Sequence, residues 1–144
     1  MTDEFRTTRM VEFFETDMAG IMHFSNFFRF MESAEHAFYR SKGFSVDEAK
    51  SLGLGWPRVK AECEYRHPLR FEDIVEINVK VRRLGTRSIT MEFQFSKTED
   101  GHDISVATGA ITAVCVERDP KTGGFRPVPI PEKIRARLRA DANL

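Results

Sequence analysis

Apolar positions along this 144-residue chain follow an irregular period at first, then a helical one, then a strand-like one. Residues 5–15 alternate irregularly, with Met10, Val11, Phe13 and Phe14 apolar, and predict a strand with both faces partly covered. From about Ser25 to Arg40 the spacing changes to threes and fours. Phe24, Phe27, Phe28, Met31, Ala34 and Phe38 form one helical stripe, widened by Phe30 and Ala37. Arg29, Glu32, Glu35, His36 and Arg40 take the remaining face. A helix apolar around more than half of its circumference belongs deep inside a protein rather than on its surface.

After Gly43 the pattern is mixed, and Gly53, Gly55 and Pro57 break it. Val59, Ala61, Cys63 and Tyr65 then alternate with Arg58, Lys60, Glu62 and Glu64, a period of two. From Ile74 to Val81, Ile77, Val79 and Val81 alternate with Glu76, Asn78 and Lys80. Gly85-Thr86 ends that run, and Ile89, Met91, Phe93 and Phe95 make the next apolar face. Asp100-Gly101 supplies hairpin-turn chemistry. Ser105 to Glu117 is the longest predicted strand, closed by the turn residues Asp119 to Gly124. Pro131 stands where a helix starts, with Ile134 and Leu138 on one face of a short amphipathic segment. Neither an internal repeat nor a low-complexity segment interrupts this order. Consecutive strands joined by short turns imply an antiparallel sheet of about five strands, which has to wrap the long helix. The expected class is α+β.

The length suits a single domain over residues 1–144. The 22 basic and 22 acidic residues cancel, so overall charge does not point to nucleic acid. No apolar run approaches the ~20 residues of a membrane span. The opening MTDEFRTTRM lacks the apolar core of a signal peptide, and a cytoplasmic location is expected. Cys63 and Cys115 have neither metal-ligand spacing nor a disulfide framework, and read as reduced, packed thiols.

Residues 13–28, FFETDMAGIMHFSNFF, break an aromatic run with Thr16-Asp17 and Ala19-Gly20 directly before the helix. A carboxylate in such surroundings is costly unless it is paired or used. Spacing alone leaves Asp17 open as a cap, a turn residue or a catalyst. Thr16 reads as a turn or packing residue. Glu32 and His36 have the i, i+4 spacing of a solvated pair, although Glu32 is also a candidate second carboxylate. Asn26 at the helix start suits capping, and it is also a candidate substrate contact.

The string F-x-x-T-D-x-x-G-I-x-x-F-x-N-F-x-R-F-M-E at 13–32 resembles the hotdog-fold acyl-CoA thioesterases of the 4-hydroxybenzoyl-CoA thioesterase type. YRHPLRFEDIVEI at 65–77, LGTRSITMEF at 84–93, the late VCVERD and the following RPVPIP resemble the same family in order. The resemblance implies a hotdog fold and acyl-CoA hydrolysis with Asp17 as the catalytic carboxylate. It also implies that the backbone N–H of Phe24, seven residues later, holds the thioester oxygen. Many members carry a histidine at that place. Here His23 comes one residue early and Phe24 fills the slot, as an aromatic does in other members. Family likeness further implies a homodimer or homotetramer with sites at subunit interfaces.

The chemistry is consistent with such a site. A thioester's leaving thiolate has a pKa of ~8.5, so it needs little protonation. What remains is a base or nucleophile, supplied by one carboxylate, and donors for the developing oxyanion, supplied by a helix N-terminus. Gly20 lets the backbone approach substrate closely. His23 could orient Asp17 or substrate. The phosphates of coenzyme A need local cations, and Lys80, Arg82, Arg83 and Arg87 cluster at one strand junction. Arg87, with Ser88 beside it, is the first candidate there, and Arg126 the second. Coenzyme A enters as part of the substrate, and no metal or organic cofactor is expected. A hotdog hydratase or dehydratase and a non-catalytic acyl-CoA-binding module are the competing readings.

Overall fold

The computed structural model describes residues 4–142. The outermost limits of the expected domain, and the first three residues of the N-terminal segment, lie outside the described residues.

Strand β1 (Phe5–Met10) is shorter than the irregular alternation suggests. The Glu15 carboxylate takes the Glu12 N–H at 2.8 Å, and this curls Phe13–Glu15 into a 3-10 turn instead of continuing the strand. Helix α1 (Asn26–Ser41) follows a tight loop and ends before Gly43, whose φ of +85° only glycine adopts without strain. A short helix α2 (Val46–Ser51) and strand β2 (Leu54–Gly55) occupy the stretch that has no clear period. Ser45 caps α2 by accepting the Glu48 N–H.

Then come β3 (Arg58–Tyr65), β4 (Ile74–Leu84), β5 (Ser88–Glu99) and β6 (His102–Val114). Two short strands, β7 (Val116–Arg118) and β8 (Phe125–Pro127), precede helix α3 (Glu132–Ala142). The β5–β6 hairpin turns at Asp100 (φ +51°) and Gly101 (φ +76°), the paired positive angles that Asp-Gly predicts. The expected strand over 105–117 is in fact two. At Cys115 the N–H bonds the Arg87 carbonyl (2.7 Å) while the carbonyl accepts the Val128 N–H (3.0 Å), so the chain passes from one sheet to another.

The main sheet is antiparallel in the order β1-β4-β5-β6-β3, and β2-β7-β8 form a smaller one. Phe27, Phe30, Met31, Ala34 and Phe38 of α1 are buried with the inward residues of β4 and β5, among them Ile77, Val79, Met91, Phe93 and Phe95. Gly109 of β6 admits Met31: a Cβ added there would stand 2.1 Å from Met31 Cε. One long helix cradled by a five-stranded antiparallel sheet is the hotdog arrangement.

One helical position departs from the periodic reading. Glu35, assigned by spacing to the polar face, is only 2% exposed, and its Oε1 accepts a 2.6 Å bond from Arg58 Nη2. A cation at the start of β3 lets the carboxylate turn inward.

Candidate active site

The loop between β1 and α1 is fixed at several points along its length. Thr16 and Met22 pair as an isolated antiparallel bridge, so residues 17–21 form a closed turn. Asp17 N–H bonds the Ile21 carbonyl (2.9 Å), and the Asp17 carbonyl accepts the Gly20 N–H (3.0 Å). Gly20 has φ +79°, which explains the glycine at this corner. The Met22 N–H bonds Leu69 O at 2.7 Å, anchoring the loop to the segment before β4.

Glu15 ties this loop to the helix. Its carbonyl accepts both the His23 N–H (2.9 Å) and Asn26 Nδ2 (2.8 Å). Its buried carboxylate holds the Glu12 N–H and Arg9 Nη2 (3.3 Å), and the Arg9 guanidinium lies 4.2 Å from the Phe30 ring centroid. Asn26 thus spends its side-chain amide on loop geometry. Thr16 does the same through a 2.7 Å bond from Oγ1 to the Phe13 carbonyl.

Asp17 is half-buried and is not the cap of α1; Ser25 stands at that position. Asp17 Oδ1 accepts the Ala19 N–H at 2.8 Å within its own turn. Among the described residues nothing donates to Oδ2. The first turn of α1 is made of i, i+3 bonds: Asn26 N to His23 O (3.0 Å), Phe27 N to Phe24 O (3.3 Å) and Phe28 N to Ser25 O (3.2 Å). Among the described residues no acceptor takes the Phe24 N–H. Phe24 is 62% exposed, and Phe13, Phe14, Met18 and Phe71 leave further apolar surface around the same loop. Among the described residues, a carboxylate oxygen and the N–H just before α1 thus stand without protein partners on one short loop held by its own hydrogen bonds.

The His23 ring stacks on Phe24 (centroids 4.5 Å apart), with Nδ1 2.8 Å from Ser25 Oγ. No bond joins it to Asp17 among the described residues. Glu32 is exposed on α1, and among the described residues no ion pair links it to His36. Arg87 and Ser88 lie at the β4–β5 hairpin, where Ser88 O accepts the Gly85 N–H (2.8 Å). The Asp17 loop abuts the other end of β4, beside Leu69 and Asp73. The 11 residues of β4 separate these ends by roughly 33 Å at ~3.3 Å per residue. A single chain therefore does not bring Arg87 to Asp17. Arg126 is occupied by Glu117 at 3.1 Å.

Periodicity gave no sign of the contact made by Tyr65. Its hydroxyl donates to the Phe24 carbonyl at 3.1 Å, and its ring packs edge-on against Phe27 (5.0 Å). Cys115 is buried and Cys63 half-buried, both as free thiols. Burial pushes the Cys63 thiol up to about 11, so it stays protonated at neutral pH.

Known proteins are similar to this chain in sequence and fold. A family model described as the thioesterase-like superfamily matches residues 11–138. A protein of Aquifex aeolicus named a putative esterase is 37% identical over 113 residues, covering 78% of this chain and 84% of its own. The structure of a gentisyl-coenzyme A thioesterase superposes with a TM-score of 0.76 at 30% identity, covering 92% of this chain and 98% of that one. The 4-hydroxybenzoyl CoA thioesterase of Pseudomonas sp. strain CBS-3 shares the fold, with a TM-score of 0.82 at 18% identity over 93% and 98% of the two chains. With the family model spanning nearly the whole described chain, the protein belongs to the thioesterase-like superfamily.

Proposed function

We propose that this protein hydrolyses acyl- or aroyl-coenzyme A thioesters to the free acid and coenzyme A, with Asp17 as nucleophile or general base. The observation that carries the reading is the pairing of an uncommitted Asp17 Oδ2 with an uncommitted Phe24 N–H on one braced loop. The carboxylate attacks the thioester carbonyl or takes a proton from the attacking water. The Phe24 N–H, at the start of the 16-residue α1, receives the oxyanion with the helix dipole behind it. The thiolate then leaves without needing a proton donor, and where Asp17 was the nucleophile, water hydrolyses the mixed anhydride to free the acid and restore the carboxylate. Names of relatives support this substrate class: a gentisyl-coenzyme A thioesterase and several 1,4-dihydroxy-2-naphthoyl-CoA hydrolases. No metal or organic cofactor is required by this chemistry.

Arg87 suits a phosphate of coenzyme A because, among the described residues, no carboxylate pairs with it, whereas Lys80 is held by Glu92 at 3.1 Å. Its distance from Asp17 means that one substrate would meet the Arg87 of a second copy. Exposed apolar surface on β3 supports such a partner: Val59 is 63% exposed, and Ala61 and Tyr65 are also uncovered.

Incubation with a panel of acyl-CoA thioesters and a thiol-detecting reagent tests the reading. Asp17→Asn is expected to lower kcat by ~10²-fold or more, the scale of a lost general base. Glu32→Gln should leave the rate near wild type. A dead Glu32 variant beside a normal Asp17 variant would move the acid onto the helix. Formation of an enoyl or hydroxyacyl product would mean hydratase chemistry, and binding without turnover a module.

A further inference from the structure

The Phe24 carbonyl accepts two hydrogen bonds. One comes from the Phe27 N–H at 3.3 Å, the longest of the three bonds in a first turn that has no side-chain cap. The other comes from Tyr65 Oη at 3.1 Å. Helix first turns fray because their bonds are few and exposed. Here the turn that would fray contains the N–H assigned to the thioester oxygen.

We propose that Tyr65 is a positioning residue for hydrolysis: its hydroxyl clamps the first turn of α1 to strand β3 and fixes the Phe24 N–H in place. This rests on the thioesterase reading of Asp17 and Phe24. The ring is itself held, packing edge-on against Phe27, which packs in turn on Phe95 of β5 (5.4 Å). Pinning the Phe24 carbonyl fixes the Cα it shares with the N–H, so the donor faces one direction before substrate arrives. Burial, and then the neighbouring Cys63, push the Tyr65 phenol up to about 12. Its O–H therefore keeps its proton, and the clamp its donor, across the neutral range.

Tyr65→Phe retains the ring and removes only the hydroxyl. It should lower kcat about fivefold, the rate equivalent of one ordinary hydrogen bond, with KM unchanged and the thermal midpoint lowered by no more than the few degrees one such bond is worth. Amide hydrogen exchange in a peptide spanning residues 24–28 should quicken in the same variant without substrate. Wild-type kcat with unchanged exchange would overturn the proposal. So would a fall in kcat accompanied by raised KM and a thermal midpoint lowered well beyond that, which is general loosening. Asp17→Asn, assayed alongside, separates the two layers. If it is slow while Tyr65→Phe matches wild type, only the clamp fails; if it turns over normally, the hydrolysis reading fails and the clamp with it.

Discussion

At the scale of single residues, Glu35 shows how burial and one partner set the behaviour of a carboxylate. Glu35 is sealed under α1, bound by Arg58 through one oxygen, while among the described residues its Oε2 has no partner. Burial raises its pKa, and the Arg58 charge offsets only part of that. The folded protein therefore holds this proton more tightly than the unfolded chain does. Glu35 destabilises the fold progressively as pH rises from the ordinary carboxylate range through the raised value. Urea midpoints measured from about pH 4 to about pH 8, a span bracketing the usual carboxylate value, should fall less steeply in Glu35→Gln than in wild type. Arg58→Met should steepen the fall, because it removes the charge that holds the pKa down. Parallel profiles for all three proteins would show that Glu35 does not titrate in this way. The turn that carries Asp17 was legible from the sequence because its neighbours within a few positions announce a turn before a helix. Glu35 was not: its partner lies 23 positions away, and a helical wheel shows spacing but not what an opposite strand brings to it.

Among elements, the meeting of α1 with β6 is set by one glycine. Met31 fills the space that a side chain at Gly109 would need. Gly109→Ala should cost about 1–3 kcal/mol by overpacking, read from chemical denaturation. Met31→Ala alone should cost about 2–5 kcal/mol, and in the Gly109→Ala background distinctly less. Additive losses would mean that α1 moves aside instead of Met31. The helix and the long strands were legible as periods of 3.6 and 2, because burial on one face imposes those periods directly. Their ends were not. β1 stops where the Glu15 carboxylate captures a backbone N–H, and β6 gives way to β7 where Cys115 bonds Arg87 and Val128. Those bonds depend on the completed fold. The three-stranded sheet was missed for the same reason, its strands being two or three residues long.

For the whole molecule, alternation in β3 predicts a covered apolar face, yet Val59, Ala61 and Tyr65 are exposed. β3 is also an edge strand, with free backbone groups along one side. Both features call for a partner, and a second copy supplies the same surface symmetrically. Light scattering at micromolar concentration should give a dimer or a multiple of one. Val59→Asp should shift the distribution toward smaller species and lower activity with it. A fully active monomer would exclude a shared site and leave Arg87 without a role in binding substrate.

The pairing of β1 with β4 has a consequence for synthesis. Phe5 lies opposite Val79 and Met10 opposite Ile74, so β1 has no neighbour in the main sheet until some seventy further residues have been made. The strands β4, β5 and β6 are a run of hairpins and can zip up among themselves. The loop bearing Asp17 is strung between late-closing β1 and α1, and its clamp on Phe24 comes from the opposite edge strand. β1 waits for β4 and β3 waits for β6, so the strand before the Asp17 loop and the strand that reaches the Phe24 carbonyl are each paired only after most of the main sheet has been made.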